Sequence, residues 1–491
     1  MIGQGTVSSS HTETSILHMD AMETATAIRE RQLTCAEAVG TYIDHLRQVN
    51  PAINALVEDR FSEAIEEAQK KDRQLASGTA AGELFGVPIS VKEAFDTADM
   101  KTTGGLLHRR NEIAEKDAEI VRRLKQAGAI ILGKTNTPEL CFCQETDNKL
   151  YGRTNNPWDL ARTAGGSSGG EGALLAAGGA AVGIGSDIGG SIRFPSHFNG
   201  VVGFKSGKFQ VSGEGSFPAG DVPIQQRMIG FGPMGKSVRD MRLLYRLIAE
   251  QPPEKRPADR LYIDVLPPAG PYPISGKTAD ILNEVAACLK RDFPVVRKEP
   301  PYFRDSAQLW QEMMSFDGAA GMRDIALPEK GTNALKEFVK EKLGKRASIH
   351  PYLSWAMIGA TLFRPSAKRR ADIETIIEQG DRELDSYLAD RILVFPVYHT
   401  AAPLHGRMYK EIFSLQKGFL KYMPFTGYAN VWGLPSLVIP VGRDENNMPI
   451  SVQLMSKNGN EELLFEVGEL LEREFGGYRR SLVEDKLSTS V

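Results

Sequence analysis

The sequence predicts an α/β fold, and three observations carry that prediction. Short β-prone runs alternate with amphipathic helical patterns through the first half, and strand-like runs return near the end. Between them lies a glycine-rich stretch filled with Ala and Leu, as buried elements would be, rather than with polar residues. A chain of 491 residues that is 41% hydrophobic can bury a large core around such a sheet.

The elements follow in order. Residues 20–80 read as helical: Thr34 in "LTCAEAV" is an N-cap with Glu37 three residues on, a capping box. The run "RFSEAIEEAQKKDRQLA" is a second amphipathic helix. In "LFGVPISVKEAFD" Gly86 punctuates, Val87 to Val91 form a strand, and Lys92 stands where it ends. A helix over 117–126 is closed by Gly128, and "AIILGKT" is the next strand. The proline-rich 251–276 is either a domain boundary or a long surface connection inside one domain. The later strand-like runs "RILVFPVYH" and "LPSLVIPVG" favour the connection. Residues 303–390 are mainly helical, with a long charged pattern from Ala367 to Asp390.

Bulk properties narrow the function. A formal net charge of −3 gives no reason to expect a nucleic-acid partner. Four scattered cysteines form neither a disulfide scaffold nor a zinc site, and no HExxH spacing occurs among the eight histidines. The polar start "MIGQGTVSSSHTETSILHMD" lacks a hydrophobic signal, and no stretch reads as a membrane span, so a cytoplasmic protein is expected.

The stretch from Thr163 to Pro195 carries the chemistry. It holds Ser167, Ser168, Ser186 and Ser191 among glycines, with no histidine. A Walker loop would need a lysine where "GGSSGGEG" has Glu171, and a carboxylate beside phosphate is unfavourable. A dinucleotide fingerprint finds no clean strand–turn–helix there. A catalytic turn explains more. In "DIGGS" consecutive backbone N–H groups can face a developing oxyanion beside a serine nucleophile. A lysine in an enclosed site can act as the base in place of imidazole, since desolvation disfavours its charged form.

With "GVPISVKEAFD", "GAIILGKTNTPEL", "NNPWDLARTAGGSSGGEGALLA", "GIGSDIGGSIRFPSHFNGVVGFKSG" and "TGYANVWGLPSLVIPVG", the chain resembles the amidase signature family, and its fatty acid amide hydrolase branch most closely. The resemblance implies a central mixed β-sheet covered by helices on both faces. It divides the chain into an N-terminal helical region, 1–80, packed on the core, and an amidase signature domain, 81–491. The latter carries a more variable, mainly helical insertion at about 250–390, where the resemblance is poorest.

The resemblance also implies a Ser-cisSer-Lys triad: Ser191 as nucleophile, Ser167 as the bridging serine after a cis peptide, and Lys92 as base. The oxyanion donors carried over are the N–H groups of Ile188, Gly189, Gly190 and Ser191. Asp187 and Arg193 are expected to hold the turn's geometry, with Ser168, Thr163 and Ser186 supporting the loops. Cys141, Phe142 and Cys143 lie in a segment that lines the acyl side of relatives' sites, and both cysteines read as packing residues. His197 lies close enough to suggest a triad, but the lysine–serine arrangement makes it unnecessary.

The implied activity is hydrolysis of aryl, alkyl or fatty acyl amides through an acyl-enzyme, with some esterase activity. Water and a small-molecule amide are the expected partners, with no metal or organic cofactor, no nucleic acid and no stable membrane insertion; a homodimer is left open. The alternative inside the family is the glutaminase component of a tRNA-dependent transamidosome, for which the sequence offers no dependable Arg/Asp clamp for glutamine. A scaffold or nucleotide-binding protein using the glycine loop is the alternative outside it.

Overall fold

The computed structural model describes residues 13–251, 261–268, 272–329, 331–413 and 418–483. The first twelve residues and parts of the proline-rich connection (252–260 and 269–271) lie outside them. The strands are β1 Leu56–Asp59, β2 Pro88–Lys92, β3 Ile130–Thr135, β4 Asn155–Asn156, β5 Asp159–Thr163, β6 Val182–Asp187, β7 Val202–Lys205, β8 Gly230–Gly235, β9 Tyr262–Val265, β10 Val295–Arg297, β11 Arg391–Pro396, β12 Ser436–Arg443 and β13 Pro449–Met455. Eleven of them form one sheet in the order β1-β3-β2-β6-β8-β7-β12-β13-β11-β9-β10, and β4 pairs with β5.

The sheet is mixed, as expected. β3, β2 and β6 run parallel, as do β11, β9 and β10, while the other pairs are antiparallel. Nineteen α-helices flank it among the described residues. Every residue of β2 and β3 is buried, which is what parallel strands covered on both faces require.

Alternation along β6 shows how the faces are used. Gly183 and Gly185 point toward the helix Gly169–Ala177 and its neighbours: a Cβ at 183 would run into the Glu171 carboxylate, and one at 185 would come within 2.9 Å of Ser168 Oγ. Val182 faces the other way, near Met241 of the helix Val238–Ile248. The small residues thus let one glycine-rich helix settle onto the sheet. That helix is buried along its whole length and ends at Gly178, whose φ of +86° suits glycine.

Two expectations need correction. Residues 20–80 are not helical throughout: Thr34 does cap Cys35–Ile53 with a capping box and Phe61–Ala76 is helical, but β1 lies between them on the sheet edge. The helix foreseen over 117–126 runs over Glu119–Gln126. The proline-rich segment, where described, contributes β9 to the same sheet as the first half. A second, smaller apolar cluster joins Leu106 and Leu140 to Ile349 and to Leu353 and Met357 of the helix Pro351–Leu362.

Candidate active site

Register brings the polar residues together. On β2, Ser90 and Lys92 are two apart and share the face that meets the glycine-rich helix. Lys92 is fully buried; its Nζ donates to Ser167 Oγ at 2.7 Å and to Ser186 Oγ at 3.0 Å. Burial lowers the Lys92 amine below the ordinary lysine value, while the Cys141 thiol, Asp187 and Glu171 pull it back up. The Gly166–Ser167 peptide is cis.

Beneath them, Glu171 accepts hydrogen bonds from Ser90 and, at 2.7 Å, from Thr135. Burial pushes this carboxyl up to about 7 against those bonds and the nearby Lys92. The helix start offers no phosphate cradle: the Gly169 and Gly170 N–H groups already donate to Thr146 Oγ1 and Asn136 O.

Ser191 follows β6 on a turn built around Asp187. The Asp187 carboxylate accepts from the N–H groups of Gly190 (2.8 Å), Ile192 (3.0 Å) and Arg193 (3.3 Å). Arg193 closes on both of its oxygens at 2.9 and 3.0 Å, and spends its remaining N–H groups on Thr426 O, Gln453 and Asn430. Burial works to raise the Asp187 carboxyl, but the Arg193 guanidinium outweighs it and holds the group well below the usual carboxylate range. The fully buried pair is therefore charged and satisfied. Gly190 sits at φ +102°, a backbone state that glycine tolerates best.

The structure divides the four turn amides. Gly190 N–H is committed to Asp187, whereas the N–H groups of Ile188, Gly189 and Ser191 have no partner among the described residues. Ser168 N–H donates to Ser191 O at 3.1 Å, so the two serine-bearing loops meet through the backbone. Among the described residues the Ser191 hydroxyl has no hydrogen bond to Ser167. Ser168 Oγ reaches Ser186 O at 3.4 Å, and Thr163 Oγ1 accepts from Gly165 N–H.

The acyl-side segment splits. Cys143 is buried and burial pushes its thiol up, as a packing residue requires. Cys141 is partly exposed, with its thiol against the Lys92 amine and within 3.3 Å of Thr137 Oγ1, so packing does not describe it fully. Phe142 is partly buried between the main and the smaller apolar clusters. His197 turns away from the serines: Ser451 N–H donates to its Nδ1 and Nε2 meets Thr400 O. Burial lowers it to about 4, so it is neutral.

Sequence reasoning treated Ser186 as loop support, whereas it touches the Lys92 amine. It also missed Trp310, whose indole N–H donates to Ile188 O at 2.7 Å from the helix Ser306–Met314. A lone Trp in a helical pattern gives no local sign of such a contact. Asn430, which braces Asp187 at 2.9 Å, does lie inside "TGYANVWGLPSLVIPVG", one of the motifs that carry the resemblance. The described residues hold no His/Cys/Asp/Glu group fit for a metal ion, and no helix of theirs is long and apolar enough to cross a membrane.

A buried lysine joined to a serine after a cis peptide, beside a second serine on a glycine turn, is the arrangement that the resemblance to the amidase signature family implies. The chain belongs to that family: the Amidase family model matches residues 37–465. It is 33% identical to fatty-acid amide hydrolase 2 of Homo sapiens, over 94% of this chain and 90% of that one. It is also 33% identical to an indoleacetamide hydrolase of Bradyrhizobium diazoefficiens (93% and 86% covered). With a glutamyl-tRNA(Gln) amidotransferase component of Oleidesulfovibrio alaskensis the identity is 31% (92% and 96%). Among solved structures, 6-aminohexanoate cyclic dimer hydrolase superposes with a TM-score of 0.78 at 25% identity, over 95% of this chain and 99% of that one.

Proposed function

We propose that the protein is a serine amidase that hydrolyses uncharged, substantially apolar carboxylic amides through an acyl-enzyme on Ser191. The observation that carries this reading is the 2.7 Å bond from buried Lys92 Nζ to Ser167 Oγ, next to the turn that bears Ser191. Neutral Lys92 takes a proton from Ser167 as Ser167 takes one from Ser191, and Ser191 Oγ attacks the carbonyl carbon. The oxyanion is met by the N–H groups of Ile188, Gly189 and Ser191, which lack other partners among the described residues. The proton returns through Ser167 to the leaving nitrogen, and water repeats the sequence on the acyl-enzyme. An ester satisfies the same steps.

Apolar amides are favoured over glutamine because relatives named for fatty-acid amides and indoleacetamide match at 33%, somewhat above the amidotransferase component. The amidotransferase reading is the second one. The deciding experiment pairs fluorophosphonate labelling with hydrolysis of an amide series running from acetamide through aryl amides to long-chain acyl amides, with glutamine alongside. One adduct, on Ser191, is expected, with kcat/KM rising over part of the series. Each buried CH₂ contributes about 0.8 kcal/mol until the pocket is filled. An adduct on another serine sinks the nucleophile assignment. A flat series with efficient glutamine hydrolysis only in a multi-protein complex replaces this reading with the second.

A further inference from the structure

We propose that Trp310 is a positioning residue for the oxyanion site, acting through the Ile188–Gly189 peptide; this rests on the serine amidase reading above. The indole Nε1–H donates to Ile188 O at 2.7 Å. In a trans peptide the C=O and the following N–H point in opposite directions. Holding the Ile188 oxygen toward the indole therefore holds the Gly189 N–H away from it. That N–H has no acceptor among the described residues, and it is one of the three turn amides left for a ligand.

The ring also explains the residue it covers. A Cβ on Gly189 would come within 2.6 Å of Trp310 Cζ2 and 3.1 Å of Cε2, so only glycine lets the indole sit so close. Gly189 is not at positive φ, unlike Gly190, and close approach is the constraint at this position. Trp310 is 5% exposed and backed by Phe419, with ring centroids 5.7 Å apart. The last turn of its helix, Ser306–Met314, is anchored. Gln225 Nε2 donates to Met313 O and Met314 O at 3.2 Å each, and Arg369 pairs with Glu312 at 2.7 Å. The indole is thus a fixed donor. Without it, the peptide is free to turn its carbonyl, an acceptor, toward the developing negative charge.

The test compares wild type with Trp310→Phe, which keeps a ring but lacks the N–H, and with benzothienylalanine at position 310, which replaces only the N–H by sulfur. Turnover is normalised to sites titrated by fluorophosphonate, so a loss of folded protein does not count. Losing a direct oxyanion donor costs roughly 10²–10³ in kcat, and losing this indirect support is expected to cost on the order of 10-fold. KM should hold, while affinity for an aryl trifluoromethyl ketone, which forms the oxyanion on Ser191, falls in parallel with kcat. Unchanged turnover per site overturns the proposal. So does a fall in turnover with unchanged ketone affinity, because a structural role would do that. If wild type itself forms no adduct at Ser191, the serine amidase reading fails and this inference falls with it, an outcome visible before any variant is made.

Discussion

At Lys92 two demands oppose each other. Burial disfavours the charged amine, while Cys141, Asp187 and Glu171 favour it, and burial prevails. A base must be neutral to accept a proton, so the rate of acylation should rise with pH as Lys92 loses its proton and level off above its lowered pKa. Lys92→Met should abolish that limb and most of the activity, read from kcat/KM against pH on a folded variant. An unaltered pH limb assigns it to another group. Asp187 obeys the opposite sign. Its depressed pKa makes its contribution to stability full above the ordinary carboxylate range, and that contribution is lost as pH falls through the folded value. Asp187→Asn leaves the Arg193 charge buried without its partner and should destabilise by about 3–5 kcal/mol in denaturant unfolding. A loss under about 1 kcal/mol would show that Asn430 and Gln453 suffice to satisfy the arginine. Residues such as Lys92, Ser167 and Asp187 were legible because they sit in contiguous motifs. Trp310 was not, because it reaches Ile188 across 122 positions and nothing local marks the meeting.

Strand β6 and the helix Gly169–Ala177 depend on each other through missing side chains. Glu171 fits under the sheet because Gly183 has no Cβ, and its oxygens are held by Ser90 of β2 and Thr135 of β3. Gly183→Ala must push the helix off the sheet or expel the carboxylate. Overpacking of this kind costs typically about 1–3 kcal/mol, and activity should fall as well, since Ser167 lies just before that helix. Differential scanning calorimetry and kcat on the same preparation check both; a neutral substitution would mean that Glu171 has room to move. The larger elements were readable from period and punctuation: β2, β3, β11, β12 and the Thr34 cap fall where the sequence put them. β1 escaped because "LVED" lies between two strong helical patterns, and its only signal is its partner β3. β9 escaped because prolines surround it, and its pairing with β11 is over 120 residues distant.

Across the whole molecule, buried carboxylates stitch the helical region after β10 and the later loops to the segment beside the site. Glu139 accepts from His350 N–H at 2.6 Å, and burial pushes its carboxyl up to about 7. Glu145, two residues after Cys143 and buried, accepts from Gly406 N–H at 2.7 Å and Tyr409 N–H at 3.0 Å. Gly406 lies at φ +75° just before the helix Arg407–Phe413, so Glu145 holds both the turn and the start of that helix. The same segment meets Gly166, where a Cβ would come within 2.7 Å of Cys143 O and 2.9 Å of Glu145 N. A change at Glu145 is therefore placed to move the far loop and the serine loop together. Glu145→Ala removes the acceptor from two amides, and each N–H left unpaired costs about 1–3 kcal/mol unless water reaches it. Hydrogen exchange at Gly406 and Tyr409 should accelerate far more than exchange in β2 or β6, with a fall in unfolding free energy to match. Because Gly166 packs on this segment, kcat should drop as well, and by more than Glu139→Ala lowers it, since Glu139 grips His350 instead. Equal exchange in variant and wild type would mean that Glu145 does not hold the loop. Fast exchange with unchanged kcat would leave the loop tethered by Glu145 but uncoupled from the serines.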